Sequence, residues 1–152
     1  MRRNQKSGFT LLEIIVVLII LSVVIALALP RFFATVETAR SGEAFDAFSA
    51  IRGAMERCYL MNSGNYGNCD LDSSSTAGDT TDDNNTLDVD DPADSPNAHF
   101  FYAVSNQSAN TYTITATRSA VDGGDGSSTV VLKQNSDGTI TRSGTLKFQG
   151  IH

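Results

Sequence analysis

The chain is poor in the residues that most catalytic and metal chemistry draws on. It holds two histidines, two cysteines and no tryptophan in 152 residues. His99 and the C-terminal His152 stand apart in the sequence, and no HExxH, GxSxG or P-loop pattern occurs. Gly124-Asp125-Gly126 is no dinucleotide fingerprint, because no helix follows it and the third glycine is missing. Two thiols without a CxxC spacing or a nearby histidine do not complete a zinc site. Basic residues are also scarce, 11 Lys and Arg against 17 Asp and Glu, for a net charge of −6. That balance argues against nonspecific nucleic-acid binding, which needs clustered cations, and leaves room only for a small local patch. The chain therefore reads as a non-enzyme with no cofactor and no nucleic-acid partner expected.

What is present begins with an apolar run. Residues 9–29 are apolar except for Thr10, Glu13 and Ser22, and Pro30 closes the stretch. As a helix it would be about 32 Å long, matching a hydrocarbon core of roughly 30 Å. Its many β-branched residues do not argue for a strand, since in lipid only a helix satisfies the backbone of a single segment. Arg2, Arg3 and Lys6 precede it with no acid among them. The positive-inside rule keeps that end cytoplasmic and exports the bulk of the chain. Ala26-Leu27-Ala28 resembles a signal-peptidase site, but the apolar run is long for a secretory signal. Glu13 is the anomaly, because a carboxylate inside a membrane span is costly and by default functional. Snorkelling to the nearby interface is its alternative reading.

Lys6-Ser7-Gly8-Phe9-Thr10-Leu11-Leu12-Glu13 resembles the class III-type processing motif of the type IV pilin superfamily, the type IV pilins and type II secretion pseudopilins. The resemblance implies that a prepilin peptidase cuts between Gly8 and Phe9 and N-methylates Phe9. Glu13 would then be the fifth mature residue, and its carboxylate would pair with the new amino group of Phe9 on an adjacent subunit. Pro30 matches the helix-kinking proline of the family. Implied partners are further copies in a helical filament, the prepilin peptidase, an assembly platform and the inner membrane. The implied locations are the inner membrane before assembly, then the cell surface or a periplasmic pseudopilus. Cleavage would remove Arg2, Arg3 and Lys6 and take the formal charge from −6 to −9.

Residues 31–62 read as a continuing amphipathic helix. Phe33, Val36, Ala44, Phe48, Ile51, Met55 and Cys58 recur at three- and four-residue steps. Pro30 predicts a bend or local melting between the two halves. With the C-terminal bulk exported, Cys58 and Cys69 are expected to form a disulfide, worth about 2–3 kcal/mol. Many type IV pilins place a disulfide near the C-terminus; no cysteine stands there in this chain, so the roles of that loop do not carry over.

Residues 63–97 are an acidic surface loop, with nine Asp and no Lys or Arg between 63 and 96. Asp88, Asp90 and Asp91 are the candidate Ca²⁺ ligands by oxygen chemistry. No D-x-[DN]-x-[DN]-G spacing with a distal Glu supports them, so a solvated loop is the preferred expectation. From residue 98 the pattern turns to strands: 98–104, 112–118, 129–133 and 139–142, the last two flanking an Asn135-Ser-Asp-Gly138 turn.

The expected fold is α+β: one long N-terminal helix, membrane-spanning in its first half and amphipathic in its second, packed on an antiparallel meander of three or four strands. The expected organisation is a leader at 1–8, an assembly helix at 9–30, an amphipathic helix at 31–62, the loop at 63–97 and a β head at 98–152. The leading functional expectation is a structural subunit of a type IV pilus. A secretion pseudopilin, a membrane-anchored periplasmic binding module that never polymerises, and a soluble protein cleaved after Ala28 are the alternatives.

Overall fold

The computed structural model describes residues 10–71 and 85–151. One helix, α1 (Leu11–Met61), precedes four strands: β1 (Phe100–Ser105), β2 (Tyr112–Arg118), β3 (Thr129–Gln134) and β4 (Ile140–Gly144). Contacts divide the chain into two units, one through Val36 and one from Glu37 onward.

The first unit is helical, and its apolar side chains from Leu11 to Leu29 are exposed. This helix is long and apolar enough to cross a membrane. Thr10 caps its start: the Glu13 N–H donates to Thr10 Oγ1 at 3.3 Å. Thr10 and Glu13 occupy the first and fourth positions of the S/T-x-x-E capping pattern. The helix is unbroken at Pro30, so the local melting expected there is not observed. Proline deletes one N–H from the ladder, and the remaining bonds hold the turn.

The second unit is the head. Its sheet has the order β1-β2-β3-β4, with every pair antiparallel. The registers Tyr102↔Ala116 and Ile114↔Leu132 carry Tyr102, Ile114, Ala116, Val130 and Leu132 onto one face. There they join Ala44, Phe48, Ile51, Met55 and Cys58 of α1 in a single core. The expected strands are found within two residues of their predicted ends. Between β3 and β4 the Asn135–Gly138 turn closes with the Gly138 N–H donating to the Asn135 carbonyl at 3.0 Å. Two glycines are required by close approach. A Cβ at Gly124 would lie 1.7 Å from the Ser119 carbonyl oxygen, and one at Gly144 would lie 2.1 Å from that of Phe148.

The loop expected to be a solvated surface is, where described, partly core. Leu71, Leu87 and Ala93 are buried, and Asp91 is only 4% exposed. Its acids dominate the composition, but its sparse apolar residues are the ones that anchor it.

Candidate functional site

Gly8 and Phe9, the expected cleavage and methylation point, lie outside the described residues. Glu13 is described, in the first turn of α1, and its N–H completes the Thr10 cap. The sequence reading treated Thr10 as one of three polar exceptions. The three-residue spacing to Glu13 was the signal that it is a cap.

The head keeps its first helical residues in place with an ionic cluster. Arg118, at the end of β2, is fully buried. Its guanidinium donates to the Glu37 carboxylate at 3.1 and 3.4 Å and to the carbonyls of His99 and Ser119 at 3.0 Å each. It also lies 5.9 Å from the centre of the Phe100 ring. Burial by itself would raise the Glu37 carboxyl. The hydrogen bond and charge of Arg118, with Lys147 and Arg40 behind it, outweigh that and hold it below the ordinary carboxylate value. Arg40 pairs with Glu37 at 2.8 Å and donates to the Asp122 carbonyl at 3.0 Å. His99 bridges Glu43 and Asp122, at 2.8 and 3.0 Å. Its contact, with help from Arg40 and Arg118, lowers the Asp122 carboxyl. His99 thus links α1 to the turn after β2. Nothing in the sequence marked Arg118, because its partner Glu37 is 81 positions away.

At the other end of the head, Cys58 and Cys69 are joined by a disulfide. Tyr59, Tyr66 and Tyr112 form a row of rings, Tyr59 tilted against Tyr66 at 4.5 Å between centroids and Tyr66 edge-on to Tyr112 at 4.8 Å. Burial first, then Glu56, raises the Tyr66 hydroxyl well above its usual range. The three candidate calcium ligands separate in role. The Asp91 carboxylate accepts from the Ala93 N–H at 2.9 Å and caps the short turn Pro92–Asp94. Asp88 and Asp90 are exposed. Among the described residues no group of three or more His, Cys, Asp or Glu is placed to hold a metal ion.

A cleft of about 610 Å³ runs between α1 and strands β3 and β4. Phe45, Phe48 and Leu132 form its floor, and Arg52, Glu56 and Arg142 are the charged residues of its lining. The Arg142 guanidinium sits 5.5 Å from the Phe45 ring centre.

An exposed apolar helix that starts at a cap beside an acid, leading into a disulfide-closed α+β head, defines a pilin-type subunit. Residues 3–29 match the prokaryotic N-terminal methylation motif. Residues 30–129, about two thirds of the chain, match the family described as type IV minor pilin ComP, DNA uptake sequence receptor, and the chain belongs to that family. It is also similar to the type II secretion system core protein G of Pseudomonas aeruginosa, 39% identical over 62 residues, which are 41% of this chain. The match spans 44% of that relative's length. No solved structure matches. Both the family and the relative are structural pilin-type proteins, in keeping with a chain that is not an enzyme.

Proposed function

We propose that this chain is a structural subunit of a type IV pilus. In this reading it is cut between Gly8 and Phe9, N-methylated at Phe9 and held in the inner membrane by residues 9–30. It then enters a filament through its N-terminal helix. The observation that carries the pilus assignment is that the head itself, and not only the N-terminal motif, matches a type IV pilin family. Glu13 supplies the assembly charge. Cleavage creates a cation at Phe9, and in a low-dielectric bundle each ion needs the other. Intact-mass and N-terminal analysis of sheared surface material tests the reading. A chain beginning at N-methyl-Phe9 in fibres supports it, and a chain beginning at Met1 or Leu29 overturns it. Glu13→Ala should be processed yet fail to assemble; normal filaments from that variant would remove Glu13 from the mechanism.

The similarity to a type II secretion core protein supports a second reading, a pseudopilin. The same mature chain found in membranes and absent from sheared fibres would favour it.

The family description names a DNA receptor, but we assign this chain no nucleic-acid partner. Of the eight cations that remain after cleavage, Arg40, Arg57, Arg118 and Lys147 lie against carboxylates. The mature chain keeps a net charge of −9, which repels a polyanion. A salt-sensitive gel shift with duplex DNA would reverse this assignment.

A further inference from the structure

Arg52 and Arg142 stand out in a chain so rich in acid. Among the described residues neither has a carboxylate partner, although the other head arginines, Arg40, Arg57 and Arg118, all do. Both line the same cleft, over a floor of Phe45, Phe48 and Leu132, of which Phe48 and Leu132 are fully buried. Glu56 also lines it, so the cleft carries two cations and one carboxylate over an apolar base. Its net charge is positive, and the chemistry that complements it is an acidic protein surface.

The same head carries such a pair. Asp88 and Asp90 project from a turn that is built rather than loose. Leu87 is buried beneath it, and the Leu87 N–H donates to Asn85 Oδ1 at 2.9 Å. Asn85 Nδ2 donates to the Val89 carbonyl at 2.8 Å, and Arg57 donates to the Asp88 carbonyl at 2.9 Å. The Asp88 carboxylate lies 3.8 Å from Arg57 Nε of its own head, and its side chain remains 94% exposed.

Position on α1 decides how these surfaces can meet. Arg57, which holds the acidic turn, is five residues beyond Arg52, roughly 140° around the helix. Within one head the contact is not made: Asp88 pairs with Arg57 and, among the described residues, neither Asp88 nor Asp90 pairs with Arg52 or Arg142. A contact that joins unlike surfaces of identical chains leaves one of each open and repeats into a filament.

We propose that the Arg52–Arg142 cleft receives the Asp88–Asp90 turn of a second copy of this chain. The inference rests on the filament reading above and adds to it a contact between heads, separate from the helix bundle. Apolar surface under the arginines excludes water and makes these charge pairs stronger than rim pairs would be.

The test uses the full-length chain in a host that assembles pili, with sheared filament yield as the readout. Arg52→Glu with Arg142→Glu should lower the yield at least tenfold. Asp88→Lys with Asp90→Lys should do the same, and all four changes together should restore most of it. Oxidation of filaments carrying Ser49→Cys and Asp90→Cys should give a covalent ladder. Full assembly of the arginine double variant overturns the proposal. So does a fourfold variant that is processed and folded but no better than either double, or a cysteine pair that never cross-links. Duplex DNA bound in the cleft, and lost in the arginine variant with assembly intact, would also overturn it. If the unaltered chain is processed and yields no filaments, the filament reading itself falls. Normal filaments from the charge variants sink only this contact.

Discussion

The apolar span and the head are held by different forces, though one helix runs through both. From Leu11 to Leu29 the side chains are exposed, and the helix is sustained by its own backbone bonds. From Ala44 to Cys58 the same helix buries one face in a core shared with four strands. In the first region the exposed side chains pack against nothing in the head, so single side chains matter little to the isolated chain. In the second, each buried atom has a specific neighbour. The contrast teaches that helix α1 is two structural problems joined in sequence.

The sharpest way to break this comparison is a matched pair of substitutions. Phe48→Ala should cost the head about 3–5 kcal/mol, since Phe48 is fully buried against Phe45 and Tyr102. Ile19→Ala should change head stability by less than about 0.5 kcal/mol. Urea unfolding of the full chain in detergent, followed by tyrosine near-ultraviolet dichroism, compares them. Equal effects would mean that span and head share one cooperative fold.

Next in size is the buried ion pair. Arg118→Met leaves Glu37 buried without its main partner and should cost about 3 kcal/mol. Adding Glu37→Gln should recover part of that loss in the same unfolding assay. Failure of the second change to help would show that the His99 and Ser119 carbonyls, rather than Glu37, are what Arg118 holds. The disulfide follows. Replacing Cys58 and Cys69 by Ser should lower head stability by about 2–3 kcal/mol, and reductant should reproduce the effect in the unaltered chain alone.

Acid provides a smaller, graded effect. The Glu37 carboxyl is lowered in the folded head, and so is that of Asp125, where burial is outweighed by hydrogen bonds from Ser128 and Ser127. Lowered carboxyl values contribute stability that is complete above the unfolded value, about 4, and is lost as pH falls through the folded one. Urea midpoints measured from pH 6 downward should therefore hold steady and then decline below about pH 4. Glu37→Gln should shallow that decline. The smallest change is Thr10→Ala, which removes a cap worth about 1 kcal/mol. Faster amide exchange confined to Leu11–Ile14 in micelles would show it, with the head's exchange unaltered.

The helix, the four strands, the meander order and the disulfide partners were all legible in the sequence. Each is written in a local signal: a run of apolar residues, a three-to-four-residue step, a two-residue alternation, a turn tetrapeptide, or a single possible thiol pair. The ionic cluster was not legible, because Glu37, His99, Arg118 and Asp122 come from three separate stretches. The loop was misread in part for a related reason. Its nine aspartates spoke for solvent, while Leu71 and Leu87 were too isolated to form a pattern and became core only when α1 and the sheet were there to receive them.

Sequence alone determined that this chain carries an apolar run long enough to cross a membrane, and it determined the motif that places it among pilin-type proteins. Only the tertiary structure decided which charges are spent inside the head and which remain at its surface. Arg118 and Arg142 look alike in the sequence; one is sealed against Glu37, and the other stands over Phe45 at the rim of an open cleft. That difference depends on distances between residues far apart along the chain, which no local pattern encodes.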